Sequence, residues 1–334
     1  MQSLLDPAIL FFAFGIFAGA VRSNLEIPPQ ISRFLSLYLL MALGLKGGFA
    51  LAKSGLTSEV AISLGCAIVL AVAVPMAGYL LLRRFVGGFD AAAIAATYGS
   101  VSAVTFITAV QYLETRGLAF GGHMAAAMAL MESPAIIMAV LLANLVRRRQ
   151  MAAGIIAGGA DSAALAGDTQ RVSIKRILHE SFTDGAQLLL LGAMAIGILT
   201  GETGQSAMQP FTGDLFKGML SFFLLDMGLL AARNMGELRG KSPWLLAYAV
   251  VGPIAHAGLA LVLSVALGIS PGNGALLMVL AASASYIAVP AVIREAIPEA
   301  NPSLYFGMSL GLTFPFNILI GIPLYVYTAH HFLP

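Results

Sequence analysis

The stretch that decides the fold is Leu45-Lys46-Gly47-Gly48-Phe49-Ala50-Leu51-Ala52-Lys53-Ser54. A second stretch aligns with it without a gap at an offset of 180 residues: Leu225-Asp226-Met227-Gly228-Leu229-Leu230-Ala231-Ala232-Arg233-Asn234. Each places one charge, Lys46 or Asp226, inside a hydrophobic segment. An ionised group at the centre of a bilayer costs about 2.5 to 3.5 kcal/mol on insertion scales, so such residues usually line a bundle interior or an ion path. The two stretches therefore predict a membrane transporter with related halves.

The composition also predicts a membrane protein. Of the 334 residues, 59% are hydrophobic and 10% are charged, whereas soluble domains average about 25% charged residues. Apolar stretches long enough to span a bilayer, or nearly so, number about ten, and we expect an all-α polytopic protein surrounded by lipid. They lie at 7–21, 34–52, 60–82, 91–113, 123–146, 185–200, 213–232, 244–269, 274–297 and 303–329.

The distribution of Lys and Arg predicts the orientation, because cytoplasmic loops carry the positive excess. If the N-terminus is outside, only Lys53, Arg116 and Lys217 fall in outer loops. The remaining loop cations would be cytoplasmic: Arg22, Arg33, Arg83, Arg84, Arg147, Arg148, Arg149, Arg171, Lys175, Arg176, Arg233, Arg239, Lys241 and Arg294. We expect a multi-pass protein of the inner membrane with both termini outside the cytoplasm. The polar stretch 147–182 is predicted to be a cytoplasmic linker, either a plain connector or a docking element for a cytosolic partner.

The linker divides the chain into two halves that match at several places. The first half, 1–146, contains Gly99-Ser100-Val101-Ser102-Ala103 and Glu132-Ser133-Pro134-Ala135. The second half, 183–334, has Ala282-Ser283-Ala284-Ser285-Tyr286 and Thr313-Phe314-Pro315-Phe316 at the corresponding positions. Because each half holds an odd number of spans, the second must be inverted. The pattern predicts a 5+5 inverted repeat, an arrangement common in secondary transporters.

Such repeats place the transported species near the midplane, where paired helices are broken. Hydroxyls and small residues mark one break point, and a serine pair followed by Pro290 marks the other. Helix ends there offer N–H groups to an anion and carbonyls to a hard cation such as sodium. The predicted substrate-binding residues are Gly99, Ser100, Val101, Ser102, Ala103, Thr105, Ser283, Ala284, Ser285 and Tyr286.

Several of these residues also have a purely structural interpretation. Serine and threonine in membrane helices often bond the preceding turn. Lys46 and Asp226 could form a salt bridge between the halves or couple an ion to transport, and Glu132 could be neutral beside Pro134 or titrate. The five histidines have no metal-ligand spacing, and the single Cys66 is expected to be a packing residue.

At these residues the chain resembles the sodium-dependent bicarbonate transporter family. The matching stretches are Tyr98–Ala109, Met131–Ile137, Gly236–Arg239, Ala296–Gly307 and Ile322–Tyr325. The resemblance implies crossed broken helices, a core domain, a gate domain made from the first two spans of each half, a homotrimer, and inhibition by a small PII-like protein. The chain departs from well-studied members at Tyr286, where they carry an acidic residue, and at Lys46 and Asp226, where they carry neutral ones.

The expected function is thus sodium-coupled uptake of a small anion, bicarbonate in the first place, by alternating access. Asp226, Thr313 and Asn317 are the candidate sodium ligands, and Lys46, Asp226, Glu132, Pro134 and Pro315 the candidate coupling or gating residues. The alternatives are a proton-coupled exchanger, with Asp226 or Glu132 titrating, a carrier of another small organic anion, and an intramembrane enzyme. The last is disfavoured because no paired catalytic aspartates, zinc-type His-Glu motif or Ser/His pair occurs at suitable depth.

Overall fold

The computed structural model describes residues 6–157, 185–238 and 240–334, and within these ranges the protein is all-α, with no strand. The first part contains α1 (Pro7–Ala20), α2 (Pro29–Ser54), α3 (Ser58–Leu82), α4 (Gly88–Gly99), α5 (Ala103–Thr115) and α6 (Met124–Ala157). The second contains α7 (Gly185–Gln209), α8 (Phe216–Met235), α9 (Pro243–Leu267), α10 (Pro271–Ala282), α11 (Ala288–Ala296) and α12 (Pro302–Phe332).

Local sequence explains where several helices begin and end. Asp6 caps α1, its carboxylate accepting a hydrogen bond from the Ala8 N–H, and Asn301 does the same for α12 at Ser303. Proline follows each cap, at a position where no intrahelical donor is lost. Helix α9 ends at Gly268, which has the left-handed backbone (φ 65°) that glycine adopts most easily.

The helices are long and apolar enough for a membrane. Among the described residues, seven helical segments meet that criterion, one of which runs through both α7 and α8, and α1 and α10 are shorter apolar helices. All ten predicted spans coincide with helices. The most apolar window of α4–α5 is 94% buried, against 33% for α9. The interrupted helix is therefore central, while α9 presents Val251, Val262 and Val265 at the surface, where lipid would cover them.

Helices of the two halves pack against one another in matched pairs. α1 crosses α8 and α2 crosses α7. At the first crossing, a Cβ on Gly228 would lie 2.3 Å from the carbonyl oxygen of Phe12, and at the second a Cβ on Gly48 would lie 2.2 Å from that of Met194. Gly228 and Gly48 are the same position of the aligned stretches. Both crossings therefore depend on glycine to let two backbones meet.

Helix α6 extends into the predicted linker. Helix α6 continues through 147–157, so its regular structure does not stop at residue 146. Arg147 donates to both carboxylate oxygens of Glu299 (2.9 and 2.8 Å) and to the carbonyl of Ala296 (2.8 Å), which ties α6 to the loop after α11. Residues 158–182 of the predicted linker lie outside the described residues, as does Arg239 of the Gly236–Arg239 stretch.

Candidate functional site

The first break separates α4 from α5 at Ser100, Val101 and Ser102, all buried. Gly99 ends α4 against α3, where a Cβ would lie 2.6 Å from the Pro75 ring, so only glycine fits there. Ser102 caps α5, its hydroxyl accepting hydrogen bonds from the N–H (3.2 Å) and hydroxyl (3.0 Å) of Thr105. The hydroxyls thus help to form the interruption, because they satisfy hydrogen-bond donors at the start of α5.

The second break separates α10 from α11 and runs from Ser283 to Ile287. The Ser283 hydroxyl donates to the carbonyl of Leu280 (2.9 Å), and the Ser285 hydroxyl accepts from the N–H of Val289 (3.3 Å). Ala284 and Tyr286 between and beside them are buried. Tyr286 packs edge-on against Phe314, with its hydroxyl 3.8 Å from the sulfur of Met227 on α8.

Hydrogen bonds join the two breaks. The Ser102 N–H donates to the hydroxyl of Ser283 (3.0 Å), and the Ser285 N–H donates to the carbonyl of Thr97 (2.9 Å). Interrupted backbone at membrane depth is tolerated only where protein satisfies its polar groups. Each break here satisfies some of the backbone or hydroxyl groups of the other. The predicted residues of both halves, from Gly99 to Thr105 and from Ser283 to Tyr286, therefore meet at one crossover.

Some polar groups of the crossover stay available for a ligand. The Ser100 hydroxyl is fully buried and has no hydrogen-bond partner among the described residues. Ala103 and Val104 occupy the first turn of α5, where N–H groups have no intrahelical acceptor. These donors point to an anion, because burying an unpaired donor costs about 1 to 3 kcal/mol.

Helix α12 supports the crossover on both sides. Thr313 donates to the carbonyl of Ala249 (2.6 Å), so Tyr98 must donate to Thr313 across their 2.5 Å contact. Asn317 donates to the carbonyl of Ala282 at the end of α10 (2.8 Å) and accepts from Tyr325 (3.1 Å). Two π-helical turns, Ser309–Thr313 and Asn317–Gly321, flank Pro315. Such turns often occur at functional sites.

Of the three candidate sodium ligands, Thr313 and Asn317 lie at the crossover and Asp226 lies on α8. Asp226 is buried beside Ser32 of α2, and its second carboxylate oxygen has no hydrogen-bond partner within the described ranges. The hydrogen bonds of Thr313 and Asn317 go to other groups, so the three do not form one cluster in this conformation. Their role as sodium ligands stays a prediction.

The salt bridge between Lys46 and Asp226, one of the two alternatives for this pair, is not formed. Lys46 instead pairs with Glu114 at the end of α5 (2.8 and 3.0 Å to its two oxygens) and lies 4.2 Å above the Phe216 ring. Asp226 is ten residues beyond Phe216, or about 15 Å along α8. This alternative fails because α2 and α8 run antiparallel, so equivalent residues of the two stretches lie at different depths; ion coupling stays a prediction.

The remaining coupling candidates lie on α6 and α12. Glu132 on α6 accepts a hydrogen bond from Gln187 on α7, which joins helices of different halves. Pro134 lies within α6 and Pro315 within α12. Whether any of them acts in ion coupling stays a prediction.

Sequence reasoning gave no role to Glu114 or Glu59, and it placed Tyr98 in a matching stretch without a partner. Glu114 lies in the last turn of α5, two residues before Arg116. Glu59 accepts from Asn273 and the Ser270 N–H (both 2.9 Å), joining α3 to the start of α10. The signal in the sequence was an acidic residue at the end of a predicted span, Glu59 or Glu114. Its partner could not be predicted, because the two residues are far apart in sequence and only the fold brings them together.

Residues 7–330 match the family model of the Na+-dependent bicarbonate transporter superfamily. The chain belongs to this superfamily. No individual curated protein matches it. The Na+-dependent bicarbonate transporter superfamily is a family of membrane carriers, so the protein is a multi-pass transporter and not an enzyme, and the family points to bicarbonate and sodium as the transported species.

Proposed function

We propose that the protein carries bicarbonate into the cytoplasm together with sodium, by alternating access. The observation that carries the proposal is the crossover of two broken helices that leaves the Ser100 hydroxyl buried and unpartnered among the described residues. A bicarbonate ion leaving water needs fixed donors, and the first turn of α5 supplies them with a partial positive charge. The Ser100 hydroxyl adds a donor that can rotate to meet the ligand.

Sodium would bind at the opposite ends of the broken helices, where carbonyl groups carry partial negative charge. The carbonyl end of α10 at Ala282 is held by Asn317, and Thr313 lies one turn earlier on α12. Binding both ions at one crossover would make sodium stabilise the bound anion. Asp226 would complete or neighbour the sodium site in another conformation.

The proposed architecture is a 5+5 inverted repeat of ten spans, in which α4–α5 and α10–α11 each count as one broken span. The matched crossings of α1 with α8 and α2 with α7 support a two-fold relation between the halves. We assign α1, α2, α7 and α8 to a gate domain and the other helices to a core domain. Motion of the core against the gate would expose the crossover to each side in turn.

The protein is proposed to lie in the inner membrane with both termini outside the cytoplasm. The charge asymmetry of the loops supports this orientation. A homotrimer and a PII-like cytosolic regulator are carried over from the family resemblance. The cytoplasmic face supplies many Arg and Lys side chains that suit an acidic partner.

Uptake into proteoliposomes tests the proposal. Labelled bicarbonate should accumulate when an inward sodium gradient is imposed, and a proton gradient of equal size without sodium should drive little. Uptake driven by protons alone would replace the proposal with proton coupling. Competition by small organic anions, with no bicarbonate uptake, would replace the substrate.

A further inference from the structure

An exposed aromatic pair lies where α3 ends and α9 begins. Phe85 follows the last residue of α3 by three positions, and Trp244 lies in the first turn of α9. Their rings stack, with centroids 5.5 Å apart and an interplanar angle of 21°. Although each ring covers one face of the other, Phe85 remains 41% exposed and Trp244 65% exposed. The pair therefore presents aromatic surface at a helix boundary, which is the level of a membrane protein where tryptophan is enriched.

The aromatic pair continues a face of α9 that lipid would cover. Trp244, Val251 and Val262 are all more than half exposed. The two valines follow Trp244 by seven and eighteen residues, which is about two and five helical turns, so all three side chains share one face of the helix. On the neighbouring α3, Leu80 and Leu81 are exposed just before the helix ends. The pair thus lies at the edge of the hydrocarbon region, on the side of the protein that faces lipid.

Three cations lie beside the aromatic pair, on the polar side of the boundary. Arg83 and Arg84 directly precede Phe85 in the chain, and Lys241 lies three residues before Trp244. Both arginines are exposed and the lysine is partly buried. Within the described residues, none of the three forms an ion pair with a carboxylate. The surface therefore combines unmatched positive charge with aromatic rings that point toward lipid.

We propose that this surface, formed by Arg83, Arg84, Phe85, Lys241 and Trp244, binds the headgroup of an anionic phospholipid. The guanidinium groups would hold the phosphate, because their paired N–H donors match its oxygens. The rings would pack against the glycerol and the upper acyl chains. A soluble acidic partner would meet the cations but leave the rings uncovered, so the continuity with the lipid-facing side of α9 favours a lipid.

The strength of the site follows from its charge. Each Lys or Arg near a membrane surface favours an anionic over a neutral lipid by about fivefold, so three cations should enrich anionic lipid strongly at this position. The orientation proposed above places the site in the cytoplasmic leaflet. The lipid site itself depends neither on that orientation nor on the transported ions.

Fluorescence of Trp244 tests the proposal, because it is the only tryptophan in the chain. The protein would be placed in nanodiscs of phosphatidylcholine with a minor fraction of phosphatidylglycerol. Bromine, which quenches tryptophan on contact, would be carried either by the phosphatidylglycerol or by an equal amount of the phosphatidylcholine. The two samples have the same lipid composition, so a difference in quenching reports only which lipid lies against Trp244.

Brominated phosphatidylglycerol should quench Trp244 more strongly, to a degree that corresponds to about fivefold or greater enrichment at the site. High salt should reduce the difference, because it screens charges at the surface. Equal quenching by the two labels would overturn the proposal and leave the pair as a general interfacial anchor. Absence of quenching by either label would also overturn it, because Trp244 would then be covered by protein.

Charge deletions test whether this surface is the origin of the difference. Arg83→Gln/Arg84→Gln should bring quenching by the two labels close together. Arg22→Gln/Arg33→Gln is the matched control, because it removes the same charge from exposed positions on the same predicted side, and it should keep the difference. An equal loss in both variants, or a loss in neither, would contradict a site at Arg83 and Arg84. The emission maximum of each variant in unlabelled nanodiscs verifies that the surroundings of Trp244 are unchanged, and the comparison in the parent protein needs no variant.

Discussion

The Ser100 hydroxyl differs from the other serine hydroxyls of the two helix breaks in its hydrogen bonding. Ser102, Ser283 and Ser285 all use their hydroxyls to hold backbone groups of the crossover. Ser100 does not, although it is equally buried. Because the Ser100 hydroxyl forms no hydrogen bond within the described residues, its removal should affect ligand binding more selectively than removal of the other three hydroxyls.

Ser100→Ala should therefore weaken the apparent affinity for bicarbonate by about 1 to 3 kcal/mol without lowering thermal stability, since no protein bond is lost. The concentration dependence of sodium-driven uptake and the melting temperature in detergent would be measured together. Ser264→Ala is the control, because Ser264 is buried in α9 and bonds its own preceding turn. Unchanged affinity in Ser100→Ala would remove this residue from the site.

Tyr98→Phe should lower stability rather than affinity. The hydroxyl that would be lost donates to Thr313, which in turn bonds the carbonyl of Ala249, so the change opens a buried chain between α4, α12 and α9. We expect a loss of about 1 to 3 kcal/mol, measured as a lower melting temperature. Tyr327→Phe, which alters an exposed tyrosine of α12, should have no effect; equal melting temperatures would mean that the Tyr98 contact is dispensable.

At the level of helices, the sequence predicted where the helices lie along the chain, but it did not predict which residues of different helices contact each other. Hydropathy located the long apolar helices of the described ranges, because apolar length is a local property. The Gly99-Ser100-Val101-Ser102 stretch located a break, because small and hydroxyl residues there compete with the helix. Lys46 could not reveal Glu114 as its partner, since the contact joins positions 68 residues apart and depends on which helices are antiparallel.

The glycine crossings give a prediction about these partners. Gly228→Val should separate α8 from α1, since even a Cβ would lie 2.3 Å from a backbone oxygen. Gly258→Val is the control, because a Cβ there would meet no atom within 4 Å. We expect Gly228→Val to lose most of the folded protein on size-exclusion chromatography and Gly258→Val to retain it. Normal recovery of Gly228→Val would contradict the crossing.

The Arg147–Glu299 contact predicts how α6 responds to acid. The Arg147 guanidinium, through its hydrogen bond, holds the pKa of Glu299 below its usual range. A lowered pKa in the folded protein means that the contribution to stability is present above about pH 4.3, the unperturbed value, and is lost as the pH falls through the folded pKa. Arg147→Gln should thus lower stability at pH 7 by less than about 1 kcal/mol, because the pair is partly exposed.

That difference should shrink as the pH falls below about 4.3 and vanish below the lowered pKa of Glu299 in the folded protein, where the carboxyl is protonated in both states. Melting temperatures of Arg147→Gln and the parent protein across pH 3.5 to 7 would be compared, with Arg148→Gln as the exposed control. A difference that persists at the acidic end would mean that Arg147 acts through its bond to Ala296 rather than through charge.

For the molecule as a whole, the charge distribution in the sequence predicts the orientation in the membrane, whereas the packing of the helices does not determine it. A cysteine at Leu56, which is 84% exposed after α2, should react with an impermeant maleimide from outside the cell. A cysteine at the exposed Gly87, between α3 and α4, should react only after the membrane is opened. The reverse pattern would mean that the protein has the opposite orientation in the membrane.

The pairing of α1 with α8 and of α2 with α7 has a consequence for synthesis. The first two helices leave the ribosome long before their main packing partners, since about 130 residues lie between the end of α2 at Ser54 and the start of α7 at Gly185, and about 195 between the end of α1 at Ala20 and the start of α8 at Phe216. At roughly 5 to 20 residues per second, that delay is on the order of ten to thirty seconds. During it, the close-approach surfaces around Gly15 and Gly48 face lipid or the insertion machinery, which makes this interval the time at which a nascent chain is most open to mispairing and to capture by membrane proteases.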